Sequence, residues 1–240
     1  MDRIKQLFWR ALDSAAFPAA VILNRVAMRQ AKDIRIERHK RALASTVDFV
    51  EQHMQKAGTF GSKFDLLTAA LAQADLSGEK LICEFGVFRG GTINHMASRT
   101  SKTIFGFDSF EGLPESWDQG LGKGHFSVKQ LPKVRENVKL IKGWFDQTLP
   151  PFLKQNTGMA AFIHVDCDLY SSTKIVFDLM GPRLAAGSVI VFDEYFNFPD
   201  WKDGEHKAFT EFLDRSGLTC RYIGYHVKGQ QVAAVLETRK

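Results

Sequence analysis

The sequence predicts an α/β fold: a doubly wound, mainly parallel seven-stranded sheet preceded by an N-terminal helical extension. Three observations carry this reading. From residue 80 onward, short apolar runs alternate with stretches of helical periodicity, the pattern of βαβ units. The first run ends in a turn with three glycines in six positions, Gly86, Gly90 and Gly91. Four of the five runs expected to be parallel carry acids at or near their ends, and parallel strands bring those ends to one rim.

Residues 1–57 read as two or three helices. Residues 60–74 read as another, with Phe64, Leu67 and Leu71 at helical spacing. A strand over 80–85 leads to a helix over 92–99, and a second strand over 103–107 ends at Asp108. The loop 109–129 contains Gly112, Pro114, Gly120, Gly122 and Gly124. Structureless loops of that length are commonly functional, so it is expected to be a substrate lid. A strand over 138–142 and a helix over 146–155 follow, then a strand over 161–165 and a helix over 172–180. The fifth strand, 188–192, is entered through Gly187 and precedes a helix over 204–213. The runs 219–226 and 231–237 are joined through Lys228-Gly229, a link too short for a crossover, so they pair antiparallel. This divides the chain into a helical extension, residues 1–60, and a catalytic unit, residues 61–240.

At 240 residues, 45% apolar and 25% charged, the chain has the composition of a globular protein with one substantial core. Its net charge of +5 is concentrated near the front, where Arg25, Arg29, Lys32, Arg35, Arg38, Lys40 and Arg41 meet only Asp33 and Glu37. Such a run suits either an anionic partner or the solvated face of a helix, and the interrupting acids favour the second. Residues 15–28 are apolar, but Pro18, Asn24 and Arg25 break them below the roughly 18–20 residues of a membrane span. A packing or homo-oligomerising helix is expected there, with membrane contact at most peripheral. Cys83, Cys167 and Cys220 are far apart and form no Cys-x-x-Cys, which suits a reducing cytoplasm.

The glycine turn leaves three readings open: a dinucleotide site, an S-adenosylmethionine (SAM) site, or a purely structural turn. A pyrophosphate would meet the negative charge of Glu84, and Glu-x-Gly-x-x-x-Gly-Gly departs from the dinucleotide spacing. SAM has a ribose, no phosphate and a cationic amino-acid tail, which a carboxylate can pair with. Asp108, at the second strand tip, is placed to accept from two ribose hydroxyls.

A second group of acids stands at the ends of the fourth and fifth strands: Asp166 and Asp168, then Asp193 and Glu194. Four carboxylates on one rim must either retain protons or share a cation. Oxygen donors without a cysteine pair favour Mg²⁺, with Ca²⁺ or Mn²⁺ as alternatives. Asp193 and Glu194 would face opposite ways on an extended strand, so joint ligation requires a turn there. The competing reading is that some of these acids cap helices, as Asp168 could before residue 172.

Five segments resemble the macrocin O-methyltransferase family: Glu-Phe-Gly-Val-Phe-Arg-Gly-Gly from Glu84; Phe-Asp-Ser-Phe-Glu-Gly-Leu-Pro at 107–114; Lys-Gly-Trp-Phe-Asp-Gln-Thr-Leu-Pro at 142–150; Asp-Cys-Asp-Leu-Tyr-Ser-Ser-Thr at 166–173; and Asp-Glu-Tyr at 193–195. The resemblance covers about residues 82–210 and implies a class I, Rossmann-like SAM-dependent fold with Mg²⁺-assisted methylation of a sugar hydroxyl on a natural product. It places Glu84, Gly86 and Gly90 at the methionine end of SAM and Asp108 and Ser109 at the ribose. Asp168, Asp193 and Glu194 match its metal positions. Antibiotic-tailoring members carry Asp-Asp-Tyr where this chain has Asp193-Glu194-Tyr195, and the longer glutamate shifts the ion and the acceptor.

Gly91, Trp144 and Asp166 are assigned to the cofactor site as well, with Trp144 and Phe145 either flanking the adenine or belonging to the core. The catalytic candidates are Asp168 and, as general base, His206. His164 reads as packed inside its strand, His125 as a lid residue, and Tyr170 and Tyr195 as either acceptor-pocket or packing residues. The expected partner is a small hydroxylated acceptor. Three readings compete: a non-catalytic SAM-binding scaffold with basic partner-binding helices, an RNA methyltransferase, and a nicotinamide-dependent dehydrogenase. The acids on the rim repel phosphates, which argues against nucleic acid.

Overall fold

The computed structural model describes residues 32–117 and 120–239, together with Val21, Ile22, Asn24 and Met28, which are helical. The expectations for the remainder of residues 1–31 lie outside the described residues. Eight strands form one sheet: β1 (Gly58–Phe60), β2 (Leu81–Phe85), β3 (Ile104–Asp108), β4 (Val138–Lys142), β5 (Ala160–Val165), β6 (Val189–Phe192), β7 (Leu218–His226) and β8 (Val232–Thr238). Their order across the sheet is β1-β7-β8-β6-β5-β2-β3-β4. From β6 to β4 every neighbouring pair is parallel, and β8 runs antiparallel to both β6 and β7. The terminal hairpin therefore forms as its short link demanded.

The eighth strand is a departure from the sequence reading. Residues 58–60 pair in parallel with β7, Gly58 opposite Gly224, whereas the sequence pattern puts Phe60 in a helix. That helix, α2 (Lys63–Gln73), follows α1 (Ile34–His53) and begins only after Ser62, whose side chain accepts the backbone N–H of Asp65. Three residues of edge strand are too few to establish a period of two.

The remaining helices are α3 (Gly91–Ala97), α4 (Phe145–Gln155), α5 (Tyr170–Met180) and α6 (Glu205–Ser216). Strands β2, β5 and β6 are buried along their whole length, as expected for parallel strands covered on both faces. On one face Cys83 and Phe85 pack with Phe152 of α4, Phe177 of α5 and Phe209 and Phe212 of α6. On the other, Ile82 packs with Leu66 and Leu67 of α2 and Ile93 and Met96 of α3. Alternation along β2 thus assigns its side chains to two layers.

Helix α1 is tied to the first of these layers. Thr46 Oγ1 accepts from Asn197 N–H at 3.0 Å, Ser45 Oγ accepts from Trp201 Nε1 at 2.9 Å, and the Phe49 ring lies 5.4 Å from that of Trp201. Its arginines are paired: Arg35 with Asp33 and Arg41 with Glu37 nearby, and Arg38 with the distant Asp200. Among the described residues no helix is long and apolar enough to cross a membrane.

Two features of the backbone build the rim. Gly86 has φ +93°, and a Cβ there would lie 1.6 Å from the carbonyl oxygen of Asp166. Only glycine lets the tips of β2 and β5 approach this closely. Strand β6 ends at Phe192, so Asp193 and Glu194 lie in a turn rather than an extended run.

Candidate active site

A cavity of about 660 Å³ opens beyond the carboxyl ends of β2, β3, β5 and β6, the usual place for a ligand in an open α/β sheet. Gly86, Gly91, Asp108, Ser109 and Trp144 line it together with Asp166, Asp168, Asp193 and Glu194. One wall comes from the long loop, through Leu113, Glu115 and Phe126. That loop is tied down where Glu115 accepts the Ser171 hydroxyl at 2.6 Å and where Trp117 meets Phe198 edge-on at 6.3 Å.

At the glycine end, Asp108 first serves the backbone. Its Oδ2 accepts from the N–H groups of Val87 and Phe88, both at 2.8 Å, and Oδ1 from that of Phe110 at 2.6 Å. A carboxylate offers about four acceptor sites. Three are used, so Asp108 has room for one further donor rather than the two expected. Gly90 caps α3 in the left-handed region, at φ +78°, and stands behind the lining. Trp144 stands immediately before α4 and presents its side chain to the cavity.

Glu84 does not reach the cavity. It is fully buried on β2, with Oε1 2.8 Å from His164 Nδ1, while Oε2 has no partner among the described residues. Burial pushes its carboxyl up, against the opposing hydrogen bond and charge of His164. Burial alone would lower His164; contact with Asp193 and Glu84 reverses this and raises it to about 10. His164 thus lies between the two acids, its Nδ1 against Glu84 and its Nε2 3.8 Å from Asp193 Oδ1, beyond hydrogen-bond distance.

The acid end is dense. Ligand oxygens of Asp166, Asp193 and Glu194 lie within 4.8 Å of one another. Asp168 lines the cavity from a left-handed conformation, φ +64°, outside that tightest group. Burial, then the charge of Asp193, pushes Asp166 and Glu194 well above the ordinary carboxylate range. Burial, followed by the charges of Asp193 and Asp108, brings Asp168 to about 7. Asp193 goes the other way: burial opposes ionisation, but His164 and Lys63 hold it below the usual range. A buried orphan oxygen, Glu194 Oε2, faces no donor among the described residues. An all-oxygen set with an unmatched buried acceptor fits a hard divalent ion.

Other candidates are placed elsewhere. His206 packs among Phe49, Tyr195 and Trp201, with ring centroids 5.4, 5.1 and 4.9 Å away, and does not line the cavity. Burial and then the charge of Lys202 lower it to about 4, so it is an aromatic packing residue rather than a base at the site. Tyr195 is buried against Tyr222, and the Tyr170 hydroxyl donates to Glu211 at 2.9 Å. His125 stacks edge-on against Phe126, 4.4 Å away, and only Phe126 lines the cavity. Asp168 makes no cap: α5 begins after Leu169 without a side-chain hydrogen bond.

Two residues escaped the sequence reading. Lys63 donates to both carboxylate oxygens of Asp193, at 3.2 and 3.1 Å. Its signal was a lysine in the first turn of a helix, where the macrodipole favours acids. Glu205, fully buried at the start of α6, accepts the Glu194 N–H at 3.1 Å. An acid in a first turn is ordinary, so nothing in the sequence marked it.

Comparison with known proteins bears on family and fold. The sequence profile of Macrocin-O-methyltransferase (TylF) matches residues 15–221. The 8-demethyl-8-(2,3-dimethoxy-alpha-L-rhamnosyl)-tetracenomycin-C 4'-O-methyltransferase of Streptomyces olivaceus is 32% identical over 139 residues, 48% of this chain and 52% of its own. Demethyldecarbamoylnovobiocin O-methyltransferase of Streptomyces niveus is 26% identical over 160 residues, 55% and 60% of the two chains. The matched stretches thus span only about half to three-fifths of these relatives. The crystal structure of CalS11, a calicheamicin methyltransferase, superposes with a TM-score of 0.57 at 26% identity, covering 72% of this chain and 77% of that one. The structure of the O-methyltransferase NovP gives 0.53 at 20% identity, covering 74% and 80%, a likeness of fold. The fold is that of the class I methyltransferases. Since the matched stretch takes in the glycine turn and both acid-bearing strand ends, the chain belongs to the macrocin O-methyltransferase family.

Proposed function

We propose that this protein transfers a methyl group from SAM to a hydroxyl of a small molecule, a sugar or glycosylated natural product. One observation carries the reading. A single cavity joins the glycine turn and Trp144 to the half-buried Asp166 and the buried Asp193 and Glu194. The relatives support it, being named for O-methylation of a rhamnosyl-tetracenomycin and of demethyldecarbamoylnovobiocin.

Bound here, SAM would supply the methyl group and a divalent ion such as Mg²⁺ a Lewis acid for the acceptor oxygen. Asp166, Asp193 and Glu194 would hold the ion, with Asp168 beside them. Gly86 and Gly91 leave space for close approach, Trp144 offers an aromatic face to the adenine, and Asp108 has one acceptor site for a ribose hydroxyl. Asp168, at the cavity wall beside that trio, is the carboxylate placed to take the acceptor's proton. The catalytic unit we propose is built on residues 61–240, to which the preceding segment adds edge strand β1 and helix α1; self-association through the N-terminal helices is proposed as well. The three free cysteines support a reducing compartment such as the cytoplasm.

The test is calorimetric titration of S-adenosylhomocysteine into wild type and Asp108→Ala. Methyl transfer to a panel of glycosylated acceptors, with and without Mg²⁺, follows. Binding by wild type, weakened in the variant, and transfer to at least one sugar hydroxyl are expected. Folded wild type that binds no S-adenosylhomocysteine would sink the reading.

A further inference from the structure

Lys63 is the first residue of α2, one position past the N-cap Ser62. A cation there opposes the helix macrodipole, so local propensity does not explain it. Its side chain is only 33% exposed and places Nζ 3.1 Å from Asp193 Oδ2 and 3.2 Å from Oδ1. It is the one lysine among the described residues lining the cavity. The charges of Asp193, Asp166 and Glu194 all act on its ammonium. Asp193 Oδ2 also accepts from Gln231 Nε2 at 3.2 Å, so this carboxylate is already engaged by donors.

The same Asp193 belongs to the trio with oxygens close enough to share an ion. A divalent ion on that trio and an ammonium within hydrogen-bond distance of one of its members are like charges at contact range, which repel strongly in a partly desolvated pocket. In the observed geometry both oxygens of Asp193 are already taken by donors, so an ion that uses this carboxylate has to compete with the ammonium for it.

We propose that Lys63 is the built-in counter-ion of the acid cluster: its ammonium neutralises Asp193 in the metal-free protein and is displaced when a divalent ion binds. The inference rests on the metal reading of the cluster given above. Metal binding is then an exchange of one cation for another. Lys63 keeps the apo rim from repelling itself apart, and it weakens the affinity for the ion by the strength of the contact that must break. It is a positioning residue, acting through Asp193.

The experiment titrates Mg²⁺ and Mn²⁺ calorimetrically into full-length wild type, Lys63→Met and Lys63→Arg, and records thermal unfolding with and without metal. Lys63→Met is expected to bind metal about tenfold more tightly than wild type, roughly 1.4 kcal/mol. Metal-free, it should melt at a lower temperature, with the gap closing as metal is added. Lys63→Arg should stay near wild type in both respects. Should Lys63→Met fail to fold, NMR of lysine-labelled wild type replaces it, the Lys63 ε-methylene resonance shifting as Mg²⁺ binds. Equal or weaker metal binding by Lys63→Met, or no shift while metal binds, overturns the exchange and leaves the metal site standing. Absence of metal binding by both wild type and Lys63→Met overturns the metal site, and the exchange with it.

Discussion

Glu205 Oε2 accepts a hydrogen bond from the backbone N–H of Glu194 at 3.1 Å, so a carboxylate from the start of α6 fixes the turn that ends β6. Without that turn Asp193 and Glu194 would point to opposite faces of the sheet. Removing a buried acceptor strands its donor, a cost of about 1–3 kcal/mol. Glu205→Ala is therefore predicted to lose stability of that order and to weaken metal binding, whereas Glu205→Gln, which keeps an oxygen acceptor, retains both. Urea unfolding and metal titration check this; an alanine variant equal to wild type in both would show that the turn stands without Glu205.

Asp168 supplies a pH dependence. Its carboxyl lies near 7 in the folded protein against an ordinary value of 3.8. Between those values the folded chain keeps a proton that the unfolded chain has released. The contribution to stability is thus full below about pH 4, lost as pH rises toward 7, and flat beyond. Metal-free protein should become less stable across this window, and Asp168→Asn should remove part of the slope. Denaturant titrations at half-unit pH intervals read it directly. An identical slope in wild type and variant would refute the assignment.

Gly86→Ala should disrupt the rim at its centre. A left-handed conformation costs a non-glycine residue about 1–2 kcal/mol, and here a Cβ would also overlap the Asp166 carbonyl. We predict a loss above ~2 kcal/mol together with loss of S-adenosylhomocysteine binding. Circular dichroism melting combined with calorimetry separates the two effects. A fully stable variant that binds normally would contradict the contact.

Trp144→Ala tests the division of the cavity into two ends. It should weaken S-adenosylhomocysteine about tenfold or more, from the loss of an aromatic face, while leaving metal affinity unchanged. Weakening of both would mean that Trp144 supports the acid end as well.

Much of this was legible in the sequence because the parallel core is written in short, strongly apolar runs. Strands β2 to β6 and the hairpin β7–β8 fall close to their expected positions. The glycine turn and the acid tips announced the rim, since strand ends gather there whatever the packing beneath. What could not be read depended on side chains meeting across the fold. Glu84 looked like a cavity residue, yet His164, 80 positions later, draws it into the core. His206 looked like a base until Phe49, Tyr195 and Trp201 closed around it. Lys63 belongs to a helix 130 residues from its partner Asp193, and no local pattern reports a contact of that span.

The contact between Gly86 and the Asp166 carbonyl has a mechanical meaning. The glycine turn and the acid tip belong to adjacent strands and touch through backbone alone. The spacing between the two grips is thereby set by the covalent frame and not by any replaceable side chain. The loop 109–129, in contrast, borders the same cavity through replaceable groups such as Leu113, Glu115 and Phe126. Substitution in that wall can reshape the cavity while the distance between its two ends stays constant; under the proposed function, acceptor preference would change there without altering the reach of the transfer.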